Sequence, residues 1–205
     1  MKWLKPVVFV LCLLPFLWLL WGAVTSHLGA DPQKYLVHQT GLWTLRFLLI
    51  TLAVTPLRRL TGWNRVQSLR RMLGLYSFFY VCLHLTSYSV LYVGLDWANI
   101  IEDIGKRPYI TVGFAAFLLL VPLALTSTNA MMKRLGKRWA KLHRLVYVIV
   151  VLGSVHFLWL VKSDLNEPLI YSAIATGLLA SRVYWRRKTK LVAQKSTVSP
   201  QEMST

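Results

Sequence analysis

Six apolar stretches, each close to the length that crosses a lipid bilayer, constrain this 205-residue chain more than any other feature. They run from Pro6 to about Val24, Gly41 to Leu57, Met72 to Leu95, Tyr109 to Thr126, Leu142 to Val161 and Pro168 to about Tyr184. A helix rising ~1.5 Å per residue needs about 20 residues to cross a ~30 Å hydrocarbon core, and each stretch approaches that length. Composition agrees: 56% of the residues are apolar and only 15% are charged, too few polar side chains to cover a water-facing surface. The expectation is an all-α integral membrane protein built as a six-helix transmembrane bundle. The first stretch follows basic residues, as a signal peptide would. It is long, however, contains Pro15, has tryptophans in or beside it and precedes no small-residue cleavage site, so it is expected to be a retained helix. Arg46 lies inside the second stretch and is expected to snorkel towards the nearer interface.

Charge orients the bundle. Lys and Arg number 24 against 7 Asp and Glu. With the N-terminus inside, the cytoplasmic segments collect the basic clusters at Lys2–Lys5, Arg58–Arg71, Lys133–Arg144 and Arg182–Lys195. The outer loops then hold Asp31, Asp96, Glu102, Asp103, Asp164 and Glu167. This is the positive-inside pattern, and it places both termini in the cytoplasm. Topology thereby accounts for the basic surplus, and no nucleic acid is expected as a partner. Residues 1–187 read as a single transmembrane domain, and the polar, Ser/Thr-rich residues 188–205 as a disordered cytoplasmic tail. Cys12 and Cys82 sit in apolar runs without metal-site spacing and read as core residues. No GxGxxG, P-loop, HExxH or internal repeat is visible, and no loop is long enough for a catalytic domain. The Ser/Thr-rich segment Thr126–Asn129 reads as a helix stop, and tryptophans such as Trp18, Trp21, Trp97, Trp139, Trp159 and Trp185 as interfacial anchors.

Histidine carries the chemistry. His27 and His38 fall in or beside an outer loop and read as solvated. His84 lies mid-span in the third stretch and His156 in the outer half of the fifth, while His143 stands at the inner end of the fifth among Lys141 and Arg144. An ionisable group inside a span is a functional candidate by default. The spans hold no Asp or Glu, which disfavours zinc and carboxylate proton pathways. Haem suits them better, since iron accepts axial imidazole and helices supply an apolar slot. By depth His84 pairs with His156, leaving His143 about 20 Å along the helix for an inner cofactor. Helix tilt leaves the opposite pairing of His84 open.

The segments LPFLWLLW, GADPQKYLVHQTG, RRMLGLYSFFYVCLHLTSY, RPYITVGF and LALTSTNAMMKRLGKRWAKLHRLVYV resemble the ferric-reductase-like transmembrane family, and within it the haem-binding subunits of periplasmic methionine-sulfoxide reductase systems. The resemblance covers residues 6 to 187. It implies a six-helix inner-membrane bundle with haem b and FMN, and haem ligation by His84, His143 and His156. Larger relatives carry a second histidine on the third helix, which this chain lacks. Arg70 and Arg71 are candidates for the FMN phosphate, beside a plainer reading as topology-setting charges. The implied protein is an electron-transfer subunit rather than the catalytic one. A cytoplasmic flavin reductase or quinone is the implied electron source, and the implied acceptor is a periplasmic molybdopterin subunit that reduces methionine sulfoxide in oxidised proteins. A stand-alone transmembrane ferric or cupric reductase is the alternative. A histidine-lined metal transporter is weaker, for want of acidic residues within the spans.

Overall fold

The computed structural model describes residues 3–198, and all the regular structure among them is helical. In chain order the elements are α1 (Leu4–Val24), α2 (Pro32–Thr61), a 3-10 turn (Asn64–Leu69), α3 (Arg70–Ser87), a π-helical turn (Tyr88–Tyr92), α4 (Trp97–Lys106), α5 (Pro108–Leu125), α6 (Asn129–Leu135), α7 (Lys137–Leu142), α8 (Leu145–Leu160) and α9 (Asn166–Val198). Four segments are long and apolar enough to cross a membrane: α1, α2, α5 and the run Lys137–Leu160. A fifth is counted if Asn64–Tyr92 and α4, bent from it by 111°, form one broken span.

α2 is the central helix. One of its faces (Leu42, Leu45, Leu49, Leu52) meets Leu120 of α5, Ile149 and Val150 of α8 and Ala175 of α9. The other (Phe47, Val54) meets Cys12 of α1 and Leu73, Tyr76 and Tyr80 of α3. The start of α2 follows from its sequence: Asp31 caps it by accepting from Lys34 N, and Pro32 occupies the first turn, where its missing N–H costs nothing. Gly62 ends it at φ 70°, a conformation that favours glycine.

α1 lies at the periphery and is tied down by tyrosines. Pro15 interrupts its hydrogen-bond ladder, and the Tyr80 hydroxyl enters the break. It accepts from Phe16 N at 2.9 Å and donates to Cys12 O at 3.0 Å. One turn earlier in α3, Tyr76 donates to Phe9 O. Apolar surroundings offer freed backbone groups no water, so a side chain supplies the partner.

The elements differ from the sequence reading in three places. The loop expected at 96–108 contains α4, an amphipathic helix capped by Asp96, with Ile100 buried and Trp97 and Ile101 exposed. The segment after Thr126 folds into α6 and α7. Thr128 accepts from Met131 N to start α6, consistent with the expected helix stop. The apolar content of α9 ends near Tyr184, yet its backbone stays helical to Val198, so the described part of the expected disordered tail continues α9. Residues 199–205 lie outside the described residues. Arg46 donates from Nε to Tyr171 Oη of α9 at 2.8 Å, and its guanidinium lies 4.7 Å from the Trp43 ring centroid.

Candidate functional site

α3 and α8 bring His84 and His156 together, with ring centroids 6.2 Å apart and planes at 79°. Both rings are half-buried. Each is held by the backbone of a neighbouring helix. His84 Nδ1 donates to Val37 O of α2 at 2.8 Å, and His156 Nδ1 donates to Tyr109 O of α5 at 2.6 Å. A carbonyl can only accept, so Nδ1 carries the proton and Nε2 keeps its lone pair in both rings.

Glycine makes this approach possible. A Cβ on Gly41 would lie 3.0 Å from His84 Cε1 and Nδ1, and one on Gly113 would lie 2.7 Å from His156 Nδ1. Gly41 and Gly113 each stand one turn beyond the accepting carbonyl, so each imidazole lies flat against bare helix backbone. The two halves share one spacing: carbonyl and histidine are 47 residues apart in both. Two helix hairpins, α2–α3 and α5–α8, thus present equivalent imidazoles to one place, a structural repeat that side-chain sequence does not reveal. Neither the glycines nor the carbonyls stood out in the sequence. The recurrent spacing from glycine to histidine is the signal that could have found them.

The Tyr109 ring is centred 6.2 Å from His156. Tyr88 Oη donates to Asp103 Oδ2 at 2.5 Å, and Asp103 pairs with Arg107, two residues before Tyr109. This network ties the end of α3 and the surface helix α4 to the backbone that holds His156.

The donor set suits haem iron. Two imidazoles facing one another from α3 and α8, each with Nδ1 held by a backbone carbonyl, are a donor set that haem iron takes, oriented as ligand-orienting partners do. Among the described residues no group of three or more His, Cys, Asp or Glu is placed to hold a metal ion.

The other candidates lie elsewhere. His143 stands at the junction of α7 and α8, its Nε2 within 3.1 Å of Thr126 Oγ1 and its ring stacked on Trp139 at 3.9 Å. Trp139 Nε1 donates to Thr126 O, so this tryptophan is a structural partner of His143 as well as a boundary residue. Arg71 donates to Asn129 Oδ1, and Arg70 is half-buried at the start of α3. His27 is exposed, and His38 is half-buried on α2 beside the carbonyl that holds His84.

Residues 40–154 match the model of the family described as ferric reductase like transmembrane component. The chain is 50% identical to the protein-methionine-sulfoxide reductase heme-binding subunit MsrQ of Polaromonas naphthalenivorans (strain CJ2), over 96% of this chain and 94% of that protein. It is 54% identical to the MsrQ of Xanthomonas euvesicatoria pv. vesicatoria (strain 85-10), over 88% of this chain and 81% of that protein. With the MsrQ of Herminiimonas arsenicoxydans it shares 51% identity, over 89% and 85% of the two chains. No solved structure matches.

Proposed function

Because the chain belongs to the ferric-reductase-like transmembrane family and, within it, to the MsrQ heme-binding subunits of protein-methionine-sulfoxide reductase, we propose that it carries electrons through the cytoplasmic membrane on haem b held between His84 and His156. The observation that supports this site is the pair of imidazoles facing one another from α3 and α8, each with Nδ1 on a backbone carbonyl. Bound there, haem supplies one-electron chemistry, since its iron changes oxidation state without any bond to substrate being made or broken.

The chain's own residues do the rest. Val37 O and Tyr109 O fix the tautomer and orientation that keep each Nε2 available. Gly41 and Gly113 let both rings seat against backbone. Leu, Phe and Tyr side chains of α2, α3, α5 and α8 keep water from the pair. His143, near the cytoplasmic face, serves as ligand to a second, inner cofactor, and Arg70 and Arg71 are placed at that end to meet an FMN phosphate. Six spans, with α9 the last and both termini cytoplasmic, put the histidine pair nearest the periplasm. Electrons enter from a cytoplasmic flavin reductase or the quinone pool and leave to a periplasmic molybdopterin subunit, which reduces methionine sulfoxide in oxidised proteins. The chain is the electron-transfer subunit of that system, surrounded by membrane lipid in the bacterial inner membrane.

Spectra of purified variants test the site. His84→Ala and His156→Ala should each lose most of the bound haem, whereas exposed His27→Ala should leave the spectrum unchanged. Full haem retention by either of the first two would sink the assignment. In liposomes, reduction of methionine sulfoxide in an external protein should need this chain, the periplasmic partner and an internal reductant. Rapid reduction of ferric chelates by the chain alone, with no support of the partner, would favour a stand-alone metalloreductase.

A further inference from the structure

The membrane-embedded arginine near the other end of the bundle has no counter-charge. Arg182 of α9 donates from Nη2 to Leu52 O at 2.7 Å. That carbonyl has lost its helical partner because Pro56, four residues on, has no N–H. The bond satisfies the carbonyl and leaves the guanidinium charge uncompensated: Arg182 Nε is buried without a hydrogen-bond partner.

More positive charge surrounds it. Arg182 and Arg186, one turn apart on α9, each lie 6.0 Å from the Tyr147 ring centroid of α8. Arg59 of α2 stacks on Trp185 at 5.3 Å. Arg59, Arg70 and Arg186 are close enough to act electrostatically on Arg182. Asp31, Asp96, Glu102, Asp103, Asp164 and Glu167 all belong to the opposite end of the helices, and among the described residues the ion pairs are Glu102–Lys106 and Asp103–Arg107.

Arg186 and Arg59 are exposed and Arg182 is half-buried. Like charges gathered at the edge of an apolar setting repel one another and lose hydration, so an anion among them stabilises the arrangement. Guanidinium forks are the donors that phosphate oxygens take. Arg182 lies about 24 Å along α9 from its start, the depth at which a ~30 Å core gives way to headgroups.

We propose that Arg182, Arg186 and Arg59 form a binding site for one phosphate group at the cytoplasmic end of α2, α8 and α9. The nearest source of that group at this depth is the headgroup of an inner-leaflet phospholipid. A soluble phosphate ester presents the same oxygens. The site is separate from the histidine pair and does not depend on it.

The test uses the full chain in detergent. Native mass spectrometry with added phosphatidylglycerol, and with phosphatidic acid, reads lipid binding, while equilibrium dialysis against inorganic phosphate reads the soluble source. One phosphate-bearing molecule should bind per chain, and Arg182→Gln should weaken it about tenfold or more, as loss of a charge-assisted bond does. Retention of lipid alone identifies the headgroup, and retention of a soluble phosphate alone identifies that source; either supports the site. Equal binding by wild type and variant, or no binding to any probe, overturns it. Should Arg182→Gln fail to elute as a monodisperse species, Arg186→Gln and Arg59→Gln, which leave the bond to Leu52 intact, give the same reading.

Discussion

At the scale of single residues, the site depends on two positions without side chains. A histidine inside a membrane span attracts notice because it is expensive there, but what would leave its Nε2 free to ligate is the carbonyl that sets its tautomer. Reaching that carbonyl requires the imidazole to lie against helix backbone, and only glycine permits that at Gly41 and Gly113. Gly113→Ala places a methyl 2.7 Å from His156 Nδ1, 2.9 Å from Cε1 and 3.1 Å from Cγ, so the whole ring must move. Haem affinity should fall about 10–100-fold, the range found when partners that orient ligands are lost, measured by haem transfer to an apo-acceptor. Gly41→Ala meets its ring at 3.0 Å and should have a smaller effect. Gly177→Ala, where nothing lies within 4 Å of the new methyl, should match wild type. Equal haem affinity in all three would mean that the rings are not seated by these glycines.

Among elements, α1 and α4 show how local sequence and packing divide the work. α1 is apolar throughout, which suffices for a span. How it attaches depends on the break at Pro15 and the tyrosine that fills it. Tyr80→Phe leaves Phe16 N and Cys12 O unpaired and should cost about 1–3 kcal/mol in a denaturant or thermal series. In a Pro15→Ala background, where the helix can close its own ladder, the same change should cost clearly less. Additive losses across this double-mutant cycle would show that the hydroxyl and the proline act independently. α4 is an amphipathic surface helix whose Asp103 carboxylate reaches both Tyr88 and Arg107. Asp103→Asn should loosen α4 against the end of α3, seen as faster amide exchange over 97–106 with haem retained. Unchanged exchange would make the network incidental.

For the whole molecule, orientation is the testable quantity. In a variant with Cys12 and Cys82 replaced, Asp164→Cys should react with a membrane-impermeant maleimide from the periplasmic side. Lys137→Cys should react only after permeabilisation. Labelling of both from one side would overturn the six-span arrangement with α9 as the last crossing. With that orientation the histidine pair lies under the face that carries α4 and the acidic loops, and the arginine cluster lies at the opposite face. Acidic outer loops suit a partner with a basic surface, so coupling to the periplasmic subunit should weaken as salt rises.

Whatever is additive along the chain is legible before any tertiary contact forms. Hydropathy marks the apolar stretches that fold as α1, α2, α3, α5, α8 and the start of α9, and the cost of an ionisable side chain in lipid singles out His84 and His156. Helix rise favours their pairing by depth but helix tilt leaves it open, and packing is what brings the two rings to 6.2 Å. Short mixed segments were not: α4, α6 and α7 bury too little apolar surface of their own for periodicity to separate them from loops. Nor was anything legible that depends on how helices rotate against one another. Val37 and Tyr109 reach their histidines across 47 residues of chain, Tyr80 reaches α1 across 68 residues, and Arg182 reaches Leu52 across 130 residues. A backbone carbonyl is the same group at every residue, so only tertiary packing decides which one a side chain finds.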